Sequence, residues 1–297
     1  MRAFEPSLYP FEPRWFDRGG GIRMHYLDEG PAAPVGTVVF LHGNPSWSFY
    51  WRELVRALRT THRCIAVDHV GMGPSDKPPE TDYPYTLAAR VDDVTKLLAA
   101  VVPEGPVALA AHDWGGMIGM AWAVEHAPRV QRLALLNTAA FPLPSTKQLP
   151  WQLALTRTPL GTLLVRGLNA FAWGATVFGM TRREMPYSVQ QAYLAPYDSW
   201  ANRVATLRFV QDIPLTPGAP GYDVVVSTAE KLSRFQDTPT LLGFGAQDFV
   251  FDDHFLEEWK RRLPAARVLR LPDAGHYVLE DAPEVMVPSV ASFLREG

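Results

Sequence analysis

The chain has 297 residues, 47% of them hydrophobic and 20% charged, and a net charge of −3 with histidine neutral. At about 150 residues per domain this is two domains or one large domain with an insertion, long enough to bury about three quarters of its unfolded surface without disulfide or metal staples. The charge sum argues against a nucleic-acid or anionic-membrane footprint, and the lack of any run of about 20 apolar residues argues against a spanning helix. No nucleic-acid or membrane partner is therefore expected. The one cysteine, Cys64, cannot form an internal disulfide and suits a reducing compartment. The opening residues lack the basic-then-apolar pattern of a secretory leader, so a cytoplasmic globular protein is expected.

In chain order, RWFDRG and IRMHYLDEG, split by Gly19-Gly20-Gly21, read as an antiparallel hairpin. TVVFLH (37–42) and RCIAVD (63–68) are buried-strand runs, with a helical pattern between them over Phe49–Arg59. A helix over Leu87–Val101, the strand PVALAAH (106–112), a helix over Gly116–His126 and the strand VQRLALLN (130–137) follow. Near-continuous apolar strands alternating with helices indicate a parallel sheet covered on both faces. The rhythm then breaks. From Phe141 to Asp212 only helical stretches punctuated by proline occur, and these hold Trp151, Trp173 and Trp200. A helix near Val224–Phe235 and the strands TPTLLGFG (238–245) and ARVLRL (266–271) resume the alternation. The expected organisation is a main domain in two parts, 1–140 and 214–297, interrupted by a helical cap over 141–213. Ligands of open α/β sheets bind beyond the carboxyl ends of the strands, so a cap there would enclose a pocket.

The segment Ala111-His112-Asp113-Trp114-Gly115-Gly116 sits between a strand and a helix, with small residues two before and two after Asp113. That is the pattern of a strained turn that lifts one nucleophilic side chain above the sheet. The competing reading is that Asp113 only caps the helix. An aspartate nucleophile is already ionised at neutral pH and can attack a saturated carbon without a base, giving an ester that water can open. The expected electrophile is thus an sp³ carbon with a leaving group, such as an alkyl halide or an epoxide, rather than a carboxylic ester. Hydrolysis of the ester needs a general base. His276, in PDAGHYVLED beyond the last strand, is the best placed of eight histidines. His25, His62 and His126 read as structural, His112 as pointing away from Asp113, and His42 as bracing its own loop. An acid that fixes the imidazole is expected at Asp248, whereas Asp252 and Asp253 sit where helix caps belong. Position 137 could have held the acid but is asparagine.

Asn44 and Trp114 are the candidate leaving-group donors, through the amide NH₂ and the indole N–H; their backbone N–H groups are candidates for an oxyanion hole. Neutral donors of this kind suit a departing halide, whereas an alkoxide calls for a tyrosine O–H. Gly71-Met72-Gly73 and Gly243-Phe244-Gly245 lack the third glycine of a dinucleotide fingerprint, and no metal-ligand spacing is seen.

Together HGNPSW (42–47), VDHVGMGPSDKP (67–78), HDWGG (112–116), the Asp248 region and AGH (274–276) resemble the haloalkane dehalogenases of the α/β-hydrolase superfamily. The resemblance implies an α/β-hydrolase fold, an eight-stranded, mostly parallel sheet with an inserted helical cap, and neither cofactor nor metal. It implies Asp113 as nucleophile, His276 as base, Asp248 as acid, and Asn44 with Trp114 as the halide-stabilising pair. The partners would be a small hydrophobic halogenated substrate and a halide ion. Trp173 is a candidate for a further halide donor from the cap, although its spacing from Asn137 fits poorly. Epoxide hydrolases share HDWGG, and Tyr187, Tyr193, Tyr197 and Tyr222 in or beside the cap keep ring opening as an alternative. A non-catalytic ligand receptor on the same scaffold is a third.

Overall fold

A computed structural model describes residues 1–296. Strands β1 (Arg14–Gly19) and β2 (Ile22–Glu29) form the expected hairpin, and β3 (Thr37–Leu41), α1 (Arg52–Leu58), β4 (Arg63–Val67), α2 (Leu87–Val101), β5 (Val107–Asp113), α3 (Trp114–Glu125) and β6 (Val130–Thr138) follow. From residue 139 to 239 there is no strand. This stretch carries α4 (Trp151–Leu155), α5 (Pro159–Thr162), a wide turn over Leu163–Gly167, α6 (Ala170–Phe178), α7 (Tyr187–Leu194), α8 (Val204–Gln211) and α9 (Tyr222–Lys231). The chain then returns to β7 (Thr240–Gly245), α10 (Asp253–Arg262), β8 (Arg267–Leu271), α11 (Val278–Asp281) and α12 (Pro283–Arg295).

The eight strands form one sheet in the order β1-β2-β4-β3-β5-β6-β7-β8. The pairs β1–β2 and β2–β4 are antiparallel and the rest parallel. Alternation along β3 shows why these strands read as continuous apolar runs. Val39 and Leu41 pack with Leu97, Leu98 and Ile118 of α2 and α3, while Val38 and Phe40 pack with Leu54, Val55 and Phe293 of α1 and α12. Both faces are covered, so both sets of side chains must be apolar. The order in which parallel strands are added reverses at β3, which has β4 on one side and β5 on the other; the carboxyl ends of β3 and β5 therefore flank a crevice. The helices inserted after β6 lie over it. No helix among the described residues is long and apolar enough to cross a membrane.

Candidate functional site

Asp113 ends β5 and starts α3 with φ +52° and ψ −128°, a backbone conformation that L-residues rarely adopt. Its carboxylate makes no side-chain capping hydrogen bond of the usual kind to α3. Oδ1 instead accepts the Asn44 backbone N–H at 2.6 Å, and the Trp114 backbone N–H also acts on the carboxylate. The two candidate oxyanion-hole donors thus hold the aspartate itself. Thr138 Oγ1 donates to the Asp113 carbonyl at 2.5 Å and anchors the turn from β6. The small neighbours are needed for close approach. A methyl group on Gly43 would overlap the Asp113 carboxylate, and one on Gly115 would overlap the Leu41 carbonyl of β3.

His276 and Asp248 meet Asp113 from the loops after β8 and β7. Asp248 Oδ2 accepts from His276 Nδ1 at 2.7 Å, and His276 Nε2 lies 3.8 Å from Asp113 Oδ2. Burial pushes the Asp113 carboxyl up to about 6, against the lowering pull of His276 and of the Trp114 and Asn44 N–H groups. Burial works against charge on His276, but the carboxylates of Asp248 and Asp113 outweigh it and raise its pKa. The resting site therefore favours an Asp113 carboxylate beside a His276 imidazolium. Esterification of Asp113 would remove one of the two charges that hold the proton on His276.

Asn137 is a site residue that spacing alone did not reveal. It takes positive φ at the end of β6, and its Nδ2 donates to Asp248 Oδ2 at 3.0 Å, to the Gly245 carbonyl at 3.0 Å and to the Phe251 carbonyl at 3.1 Å. Its Oδ1 accepts the Gly245 N–H at 2.8 Å. The Asn137 amide thus fixes Asp248, the acid candidate on the loop after the neighbouring strand. His112 donates from Nε2 to the His276 carbonyl at 2.9 Å, away from Asp113, and His42 donates from Nδ1 to the Gly43 carbonyl at 2.8 Å. Asp252 accepts the His254 N–H at the start of α10, as a cap does.

Asn44, Asp113, Trp114 and His276 converge at one end of a cavity of about 700 Å³ whose remaining wall is mostly apolar and comes largely from the inserted helices. The Thr206 carbonyl of α8 takes one Asn44 Nδ2 hydrogen at 3.0 Å, which orients the amide and leaves it one further donor. The Trp114 ring is held edge-on to Phe209, at 5.5 Å between centroids, with the Arg90 guanidinium 5.5 Å from it. Trp173 does not contribute. It is half exposed on the outer surface and does not line the cavity, because α6 turns Phe171 and Ala175 toward it instead. None of the cap tyrosines lines the cavity either. Tyr193 donates to Glu280 at 2.6 Å, Tyr197 to the Ser46 carbonyl at 3.3 Å, and Tyr187 is exposed. The observation that kept epoxide opening in play is thereby lost.

A family model described as the alpha/beta hydrolase fold matches residues 36–283. The chain belongs to the α/β-hydrolase family. Within it, the chain is 49% identical over 295 residues to a cis-3-alkyl-4-alkyloxetan-2-one decarboxylase of Xanthomonas campestris, covering 97% of this chain and 98% of that protein. It is 31% identical over 287 residues to haloalkane dehalogenase 2 of Mycobacterium tuberculosis, covering 96% of each. The crystal structure of a haloalkane dehalogenase from Bradyrhizobium elkani aligns with a TM-score of 0.83 at 26% identity, covering 96% of this chain and 97% of that one. The dehalogenase-like fold expected from the motifs is thus found. The more similar relative, however, bears the name of a different reaction.

Proposed function

We propose that this α/β hydrolase decarboxylates oxetan-2-ones bearing alkyl groups at C3 and C4, using Asp113 as nucleophile. The observation that carries this reading is the 49% identity, over nearly the whole of both chains, to a protein named for that reaction. The site chemistry accommodates it. A four-membered lactone is an ester, yet its C4 is also an sp³ carbon whose leaving group is a carboxylate. The free oxygen of Asp113 forms a bond to C4 as the C4–O1 bond breaks, giving an alkyl-aspartate ester and a carboxylate on C3. The C2–C3 bond then breaks to release CO₂, its electron pair forms the C3=C4 bond, and the C4–O pair returns to Asp113. The sum is lactone to alkene plus CO₂, with no water and no net proton consumed. Inversion at C4 followed by departure of the two groups from opposite sides converts a cis lactone to a cis alkene. In this scheme the Asn44 amide and the Trp114 indole receive the departing carboxylate oxygen, while Asp248 holds the charge on His276. A largely apolar cavity of about 700 Å³ supports a substrate with two alkyl arms, being large within the usual range of about 300–1,000 Å³.

A second reading is hydrolysis of haloalkanes, supported by the haloalkane dehalogenase relatives and by the same Asn44 and Trp114 donors. Asp113 would displace halide, and water activated by His276 would open the ester to an alcohol. The two readings differ in their use of water. A single turnover in ¹⁸O-water, followed by the mass of the Asp113 peptide, separates them. The lactone should leave Asp113 unlabelled, whereas a bromoalkane that turns over should label it. Bromide release with an inert lactone would overturn the first reading in favour of the second.

A further inference from the structure

Ten of the fifteen large apolar side chains exposed among the described residues lie between Leu143 and Trp200. Leu168 is 72% exposed, Trp151 70%, Phe178 66% and Trp173 49%. Trp151 and Phe178 also line the cavity, so exposed apolar surface reaches the cavity wall at these two residues, and Trp173 packs edge-on to Phe178 at 6.3 Å. An apolar face of this kind on a single chain marks an interaction surface.

Charge on this face is segregated as well. Asp and Glu supply 31 of the 297 residues, yet none lies between 141 and 183, where Lys147, Arg157, Arg166, Arg182 and Arg183 occur. Four of these reach carboxylates of other segments: Lys147 reaches Asp252, Arg166 reaches Glu80, Arg182 reaches Asp273 and Glu284, and Arg183 reaches Glu284. Arg157 donates to the Ile213 carbonyl at 2.7 Å and pairs with no carboxylate among the described residues. The net charge of −3 conceals this asymmetry. Exposed Trp, Phe and Leu interspersed with arginine, in a stretch of chain that carries no carboxylate of its own and leaves Arg157 without an acidic partner, is a composition suited to a lipid interface.

We propose that the exposed face of the inserted helices docks on an anionic lipid bilayer, with Trp151, Leu168, Trp173 and Phe178 entering the acyl boundary and Arg157 meeting the headgroups. The mouth of the cavity then opens onto the layer in which a dialkyl substrate and an alkene product dissolve. The docking goes beyond the reaction proposed above and is measured without substrate, so either can fail alone.

The test is flotation of the protein with phosphatidylcholine vesicles containing phosphatidylglycerol. Wild type should float with the vesicles, and added salt should weaken it. Leu168→Ser and Trp173→Ser, neither of which alters a cavity-lining residue, should each weaken partitioning about tenfold. Their melting curves check the fold. Arg157→Glu provides a second test that leaves the apolar face intact and should also reduce flotation. Wild type remaining at the bottom of the gradient, or flotation unchanged in all three variants, overturns the proposal. So does a wild-type dimer by light scattering that Leu168→Ser disperses while no flotation occurs, since the face would then cover a second copy of the chain.

Discussion

The Asn44 backbone N–H donates a 2.6 Å hydrogen bond to Oδ1 of Asp113, joining the loop after β3 to the turn after β5. One carboxylate oxygen is thereby held by the Asn44 N–H, while the other lies 3.8 Å from His276 Nε2. If the carboxylate is alkylated on its free oxygen, the held oxygen becomes the ester carbonyl already seated among donors. Such preorganisation needs no rearrangement at the moment of reaction.

Gly43 makes this contact possible, because any Cβ there would occupy the place of the carboxylate. Gly43→Ala should reduce kcat/KM by at least about 100-fold, comparable to the loss of one oxyanion donor at ~3 kcal/mol. Unchanged far-ultraviolet circular dichroism would assign the loss to the site rather than to unfolding.

The Asp113 carboxyl, pushed up to about 6 by burial, must be ionised to attack, so kcat/KM should fall as pH drops through about 6. A pH–rate profile flat down to pH 4 would contradict the nucleophilic role.

The same shift affects stability. The folded chain binds this proton more tightly than the unfolded chain, about 6 against 3.8. Unfolding free energy therefore falls as pH rises between those values, by about 3 kcal/mol in all. Asp113→Asn should consequently be more stable than wild type at pH 7, with the gap closing near pH 4. Urea unfolding at the two pH values measures this.

Trp114→Phe keeps the ring between the cavity and Phe209 but deletes the indole N–H. The expected outcome is a fall in kcat of about 10²–10³, the usual effect of removing a donor aimed at developing charge. KM for an apolar substrate should stay within a few-fold, because the cavity wall keeps its shape.

Asn137 supplies donors to Asp248 and to the Gly245 and Phe251 carbonyls. Asn137→Ala leaves these buried acceptors short of a partner and should cost about 1–3 kcal/mol in denaturant unfolding. Activity should fall as well, since Asp248 is no longer fixed against His276.

The sheet was legible because parallel strands buried on both faces announce themselves as short apolar runs, and β3 to β7 each coincide with one, while the edge strand β8 alternates apolar residues with arginine. The turn at Asp113 was legible because close approach to the β3 loop demands small residues beside it. Asn137 was weighed only as a missing acid; its role depends on β6 and β7 being neighbours, which no local pattern specifies. The cap misled in both directions. Trp173 and the cap tyrosines carry suggestive N–H and O–H groups, but short helices joined by proline turns have no simple periodicity from which to read their inward faces. The leaving group was narrowed to halide or epoxide because esters were set aside as a class. A strained cyclic ester escapes that division, since it too is displaced at a saturated carbon, and the residues at the site are the same for either.

The most direct test of the central claim is to incubate the protein with a cis-3,4-dialkyl oxetan-2-one and analyse the products by gas chromatography. Wild type should convert the lactone to the cis alkene in equal amount, and Asp113→Asn should form none. Recovery of a 3-hydroxy acid instead of the alkene, or equal alkene formation by the Asp113→Asn variant, would contradict the account.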